Sequence, residues 1–346
     1  MSARTESSPL LPIGSAHVQD HPIFLRVCHS PWGGISQTGL VYLRAAVLAY
    51  LTALGIVLLH YKVEYQINIL DEGEEDDAEY TPWQIIFQFS SLAFFFLWLY
   101  HLVAFSWSFT HLFYPDVDDN DTRWESRVLR RMSPPVQTIH SRKRFYFSLF
   151  YTVVHVVVLM NAIIYWTVLV PNGYGRFPEG EAEEDSSMEE FFGSGWFQPF
   201  CIINLWVVTV FIAFLEILGL NSIKRQVPVA SHVFSIMFIL AGYLGWAAFG
   251  KILTGEYPYY WMDPEKMEYT EIVVAYSVSF VILGVIVFAY IYGLIGIREL
   301  VTRRDEPSQP FTTTANFARD VARDVARDIV DDVREEFQRA NRAQQR

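Results

Sequence analysis

The sequence has little of what marks a soluble enzyme. It holds two cysteines, Cys28 and Cys201, in 346 residues, so no disulfide framework staples it. Charged residues make up only 18% of the chain, too few to solvate the surface of a soluble domain this size. GxSxG, HExxH, a CxxC pair and a phosphate-cradling glycine loop are all missing, so no local motif names an enzyme. The net charge is −12 and no basic face is patterned, which speaks against a nucleic-acid partner. No apolar run alternates with period two, which excludes a transmembrane β-barrel. The acidic clusters lack the spacing and the glycine of an EF-hand, so they read as solvated loops.

Apolar residues are abundant, at 52% with 16% aromatics. They are gathered into six runs. Residues 83–113, 145–172, 226–250 and 272–297 contain no Asp, Glu, Lys or Arg. Residues 41–61 contain one charge, Arg44, and 197–220 contain one, Glu216. Each run reaches the ~20 residues a helix needs to cross the hydrocarbon core. Backbone groups in lipid must be bonded within their own segment, so the runs are predicted to be helices. The fold class is therefore all-α: an integral membrane bundle of six transmembrane helices over residues 39–300.

Loop charge sets the direction. Arg123, Arg127, Arg130, Arg131, Arg142, Lys143 and Arg144 lie between spans two and three. Lys224 and Arg225 follow span four, and Arg298, Arg303 and Arg304 follow span six. The alternate loops are acidic, at 71–79 and 179–190. Six spans with both termini cytoplasmic satisfy this pattern, and seven would break it. No cleavable signal peptide is expected, since the segment before residue 41 is polar and contains proline. Cys28 then lies on the cytoplasmic side, as a structural thiol or, near a membrane helix, as an acylation site.

Residues 1–38 read as a disordered cytoplasmic segment. Within it Glu6, Leu10 and Leu11 fit the acidic dileucine pattern, an acid four residues before a Leu-Leu pair. That class of signal implies a sorting adaptor and an endosomal, lysosomal or vacuolar membrane; the alternative is a chance match in a polar tail. Residues 301–346 form a second tail. There Phe317, Val321, Val325, Ile329, Val333 and Phe337 recur every four residues, one apolar stripe on an amphipathic helix over 315–340. Such a stripe suits a protein partner or the membrane surface, or belongs to a solvated tail helix.

Polar groups within spans are functional candidates. Arg44 and Glu216 both lie near the inner ends of their spans, where they can pair and fix helix packing. Asn161 and Asn204 are further intramembrane polar residues. His101 and His155 each lie about ten residues from the inner end of spans two and three, ~15 Å deep at 1.5 Å per residue. At one depth they can face each other, to bind a metal or haem iron, to relay protons, or simply as a polar contact. No cofactor or metal is called for by any other feature, and membrane lipids are the expected surroundings.

Three stretches carry a family resemblance: Phe147 to Pro171, ending Ile164-Tyr165-Trp166-Thr167-Val168-Leu169-Val170-Pro171; Asn204-Leu205-Trp206 to Phe214-Leu215-Glu216; and Gly242-Tyr243 followed by Thr254-Gly255-Glu256-Tyr257-Pro258-Tyr259-Tyr260-Trp261-Met262-Asp263. Together they resemble the rolling-stone-like proteins and the androgen-induced family. Androgen-induced members are intramembrane hydrolases of fatty-acid esters that use a threonine and a histidine, so the resemblance implies that chemistry. The corresponding positions hold Leu43 and Trp206, neither of which is a nucleophile or a base. The resemblance therefore leaves three readings: the ester chemistry is lost, it is carried by other residues such as Thr52, His101 or His155, or the positions are out of register.

Overall fold

A computed structural model describes residues 23–64, 82–115, 123–135, 141–173, 197–226 and 228–302. Among these the chain is helical and contains no strand. The sorting pattern at Glu6, Leu10 and Leu11, the acidic loops at 71–79 and 179–190, and the tail helix at 315–340 lie outside the described residues.

Among the described residues six helices are long and apolar enough to cross a membrane: Gln37–His60, Phe89–Phe113, Lys143–Asn172, Pro199–Leu220, Val229–Thr254 and Thr270–Thr302. They coincide with the six apolar runs of the sequence. In chain order the α-helices are α1 (Ile23–Val27), α2 (Gln37–Glu64), α3 (Phe89–Phe113), α4 (Trp124–Met132), α5 (Ser141–Ile164), α6 (Phe197–Ile203), α7 (Thr209–Leu215), α8 (Val229–Thr254) and α9 (Thr270–Thr302). Span three is α5 extended by a π turn, Tyr165–Leu169. Span four is α6 and α7 with π turns at Asn204–Val208 and Glu216–Leu220.

Span three is the axis of the bundle. Of its most apolar window 72% is buried, against 22% for span six. Its stretch Val153 to Met160 is buried at every position, and a helix apolar all round belongs in the interior. It packs against α3, α7, α8 and α9, whereas α2 lies mainly on α3. The outer spans turn large apolar side chains to the lipid, as at Phe234 and Phe238 of α8. Close approach of spans three, five and six depends on Gly284. A methyl group there would collide with Leu240 and stand 3.2 Å from the Met160 sulfur.

The N-terminal segment departs from the expected disorder over 1–38. From residue 23 the chain is folded, because Phe24, Val27 and Cys28 supply a short apolar face that fills one end of the bundle. The Phe24 ring packs on Trp107 and on Phe147 at 5.6 Å each. Three further contacts tie this segment to the exit of span four. Ser222 N–H donates to the Arg26 carbonyl (2.9 Å), Ser30 Oγ to that of Gly219 (2.7 Å) and Trp32 Nε1 to that of Leu218 (2.7 Å).

Cys28 is fully buried in this plug and donates to the Phe24 carbonyl at 3.5 Å. Burial pushes its thiol up to about 12. At pH 8 the thiolate is then about one part in ten thousand, and the thiolate is the reactive form. Native protein is therefore expected to leave Cys28 unlabelled by maleimide at pH 8 and to be labelled there only after denaturation. Peptide mass spectrometry checks this, and rapid labelling of the native protein would show that the plug opens. Burial also leaves an acyl chain no access to this sulfur in the folded state.

Candidate functional site

The end of the bundle on which α1 packs holds a buried polar centre built from several spans. Arg44 on α2 has no solvent exposure. Its Nη2 donates to Glu216 Oε1 (3.0 Å) and to the Leu220 carbonyl (2.8 Å), and its Nη1 to the Ala104 carbonyl (2.9 Å) and Ser108 Oγ (2.8 Å). Arg225, which sequence position alone also allows as a partner of Glu216, instead pairs with Glu299 at 3.2 Å. Glu216 Oε1 accepts two more bonds, from Tyr100 Oη (2.7 Å) and Asn221 Nδ2 (3.2 Å). One carboxylate oxygen thus accepts from three donors, one of them charged. Its second oxygen, Oε2, is buried and accepts nothing among the described residues.

Local sequence explains why span four ends here. The π turn Glu216–Leu220 and the extended Asn221 stop the helix inside the protein, leaving carbonyls with no partner further along the chain. Arg298 of span six supplies the donors. Its Nη1 donates to the carbonyls of Ile217 (2.6 Å) and Asn221 (2.9 Å) and to Asn221 Oδ1 (3.0 Å), and its Nη2 donates to the Ile223 carbonyl. A cation at a helix C-terminus also meets the negative end of the helix dipole.

Both candidate histidines reach this centre and both are fully buried. The Tyr100 ring stands 5.5 Å from that of His101 and 5.4 Å from that of His155, each edge-on. Tyr100 therefore meets both imidazoles with its ring and Glu216 with its hydroxyl. His155 Nδ1 is 2.7 Å from the Tyr151 carbonyl, which can only accept, so Nδ1 carries the hydrogen and Nε2 is the basic nitrogen. That Nε2 has no partner among the described residues, and neither ring nitrogen of His101 has one. No three His, Cys, Asp or Glu side chains among the described residues are grouped so as to hold a metal ion. His232, by contrast, is satisfied on both sides, by Pro228 (2.7 Å) and Ser148 (3.0 Å).

The remaining candidates lie elsewhere. Thr52 lines a mostly apolar groove of about 350 Å³ between spans one and two, with Leu51, Gly55, Phe94 and Trp98. Its hydroxyl donates to the Leu48 carbonyl (2.8 Å) and accepts from Trp98 Nε1 (3.0 Å), and neither partner is a base that can take its proton. Asn204 and Asn161 serve the first π turn of span four. Asn204 donates to the Phe200 carbonyl (2.7 Å) and accepts from the Tyr50 hydroxyl. Asn161 donates to the Leu205 carbonyl (3.4 Å), which Thr209 also uses (2.7 Å). Trp206, where the resemblance looks for histidine, is stacked flat on Tyr165 with ring centres 3.9 Å apart.

Sequence reasoning missed Tyr100, Asn221 and Arg298. Arg298 reads as one more inner-loop charge, yet it is buried. A signal for it exists: Gly284, Val287, Ile291 and Ile295 form the inward stripe of α9 at three- and four-residue steps, and the next step is Arg298. Tyr100 and Asn221 carry no such signal: Tyr100 reads as one aromatic among the many of span two, and Asn221 as the first polar residue of the loop after span four.

No family model, curated protein or solved structure matches this chain.

Proposed function

We propose that this chain is a multi-pass protein of an internal membrane in the rolling-stone-like and androgen-induced group, without ester-hydrolase chemistry. Its working part is the buried His101–His155–Glu216 centre, which takes up and releases a proton. One observation carries the reading: His101 is buried, neither of its ring nitrogens has a hydrogen-bond partner among the described residues, and the same holds for one oxygen of the Glu216 carboxylate. A buried polar group without a partner costs about 1–3 kcal/mol, so packing alone does not explain a histidine at this place. A proton arriving on a ring nitrogen of His101 makes an imidazolium whose charge the nearby Glu216 carboxylate offsets. His155 Nε2 offers a second acceptor around the same tyrosine.

The ester reading finds less support. Thr52, the hydroxyl nucleophile candidate within residues 41–61, has its hydrogen bonds taken by Leu48 and Trp98. Both termini face the cytoplasm in this proposal, on the strength of the basic loops after spans two, four and six. The C-terminal stripe over 315–340 then meets a cytoplasmic protein partner. Glu6, Leu10 and Leu11 address the protein, through an adaptor, to an endosomal or vacuolar membrane. Leu10→Ala with Leu11→Ala is expected to move a fluorescent fusion from that membrane to another. An unchanged location would remove the sorting assignment.

The test is made on purified protein in liposomes carrying an internal pH dye. Wild type is expected to conduct protons under an imposed potential, and His101→Leu to lose at least ~90% of that flux, a tenfold effect equal to about 1.4 kcal/mol. A panel of fatty-acid esters is expected to show no turnover. Flux that is absent in wild type, or that survives in both His101→Leu and His155→Leu, would sink the proton reading.

A further inference from the structure

The short helix α4 between spans two and three is not explained by the polar centre. Its sequence, WESRVLRRM, leaves no residue buried, yet it places Trp124 and Val128 one turn apart with 67% and 44% of their surfaces exposed. Arg127 and Arg131 stand at the i+3 and i+7 positions from Trp124, so the basic face borders the exposed apolar stripe. Trp124, Val128, Arg127, Arg130 and Arg131 line a shallow concavity of about 590 Å³.

Two observations fix where this surface sits. Thr110 Oγ1, in the last turn of span two, stands 3.1 Å from the Met132 carbonyl and 2.9 Å from that of Ser106, which share its one hydrogen, so the end of α4 lies against the edge of the bundle. Phe113 and Tyr114, which close span two, are about half exposed, as aromatics at the headgroup level are. The helix therefore lies at the membrane boundary, with guanidinium groups beside an exposed indole. Charge complementarity selects the occupant. Guanidinium groups bind phosphate oxygens through paired hydrogen bonds, and an indole beside them enters the headgroup region. Exposed Lys143 and Arg144 at the start of span three add to the same sign of charge.

We propose that α4 is a binding site for the headgroup of an anionic phospholipid, with Arg127 and Arg131 on the phosphate and Trp124 and Val128 among the upper acyl carbons. The leaflet rests on the topology proposed above, because anionic lipids concentrate on the cytoplasmic side; the binding chemistry does not.

The experiment uses the full-length protein in mild detergent and fluorescent short-chain lipids, read by anisotropy. The probes are phosphatidylinositol bisphosphate, phosphatidylserine and phosphatidylcholine. Binding is expected to follow headgroup charge, with phosphatidylcholine weakest. Each lost charge weakens binding of the anionic probes about fivefold, so Arg127→Gln with Arg131→Gln weakens it about thirtyfold. Arg127→Lys with Arg131→Lys retains most of it, and this pair keeps the test decisive if the glutamine pair melts early. Equal binding of phosphatidylcholine, or unchanged affinity in the glutamine pair, overturns the site. Anionic affinity that tracks Lys143→Gln with Arg144→Gln alone also overturns it, by moving the site to the start of span three. Sidedness is read separately, from protease access to a tag inserted at 116–122 in sealed vesicles. A protected tag with intact lipid binding refutes the topology and leaves the site standing.

Discussion

Glu216→Ala is expected to destabilise the bundle by about 3–5 kcal/mol. The figure follows from what the carboxylate leaves behind. Arg44 is fully buried, and Glu216 is its only anionic partner among the hydrogen bonds it makes. Without Glu216 a guanidinium stays in the interior with neutral oxygens alone, and the Tyr100 hydroxyl loses its acceptor as well. The bonds of Arg44, Tyr100 and Glu216 join spans one, two and four, so the loss loosens three helices at once. In a detergent melt the midpoint should fall by about 10 °C.

The reverse experiment separates the pair from its parts. Replacing both partners with apolar residues, Arg44→Met with Glu216→Leu, removes the buried charges together. It should recover most of the loss, because a buried ion pair contributes little beyond an apolar pair of similar volume while a broken one is costly. Arg44→Met alone leaves an uncompensated carboxylate and should match Glu216→Ala. If the two single variants and the double variant all melt alike, the groups are not coupled. A near-normal melt of Glu216→Ala would mean that water reaches the centre and solvates Arg44.

How much of this was legible in the sequence depends on the kind of signal. The spans were, because hydrocarbon demands about twenty apolar residues and tolerates few charges, and only six runs qualify. The meeting of Arg44 with Glu216 was also within reach, since each is the single charge of its span and both lie near the inner end. The π turns were not. They arise where side chains such as Asn161, Asn204 and Thr209 accept or donate in place of the regular ladder, and nothing in their order along the chain announces it. The folded plug from residue 23 was hidden by its shortness, because one turn of apolar residues looks like noise in a polar tail. The helix α4 was visible only as a count of positive charges. That count sets topology, but it does not say that Trp124 and Val128 stay exposed beside the arginines.

His101→Leu should raise stability while it abolishes proton handling, and the opposite signs are the point of the measurement. Both ring nitrogens of His101 are buried without partners among the described residues, so the native residue carries a desolvation cost of about 1–3 kcal/mol that leucine does not. Leucine has similar bulk and meets the surrounding apolar atoms of span two without a polar atom to satisfy. Its variant should melt a few degrees higher than wild type, by about 2–4 °C per kcal/mol. Residues held against the interest of packing are those on which a function depends, and their removal exchanges activity for stability. His155→Leu is a weaker version of the same test, because it also gives up the bond from Nδ1 to the Tyr151 carbonyl and so gains less. His232→Leu is the control. That ring has both nitrogens bonded, so its loss should lower stability and leave proton flux untouched. If His101→Leu melts below wild type, its nitrogens do find partners in the membrane, and the argument for a proton-binding centre fails at its first step.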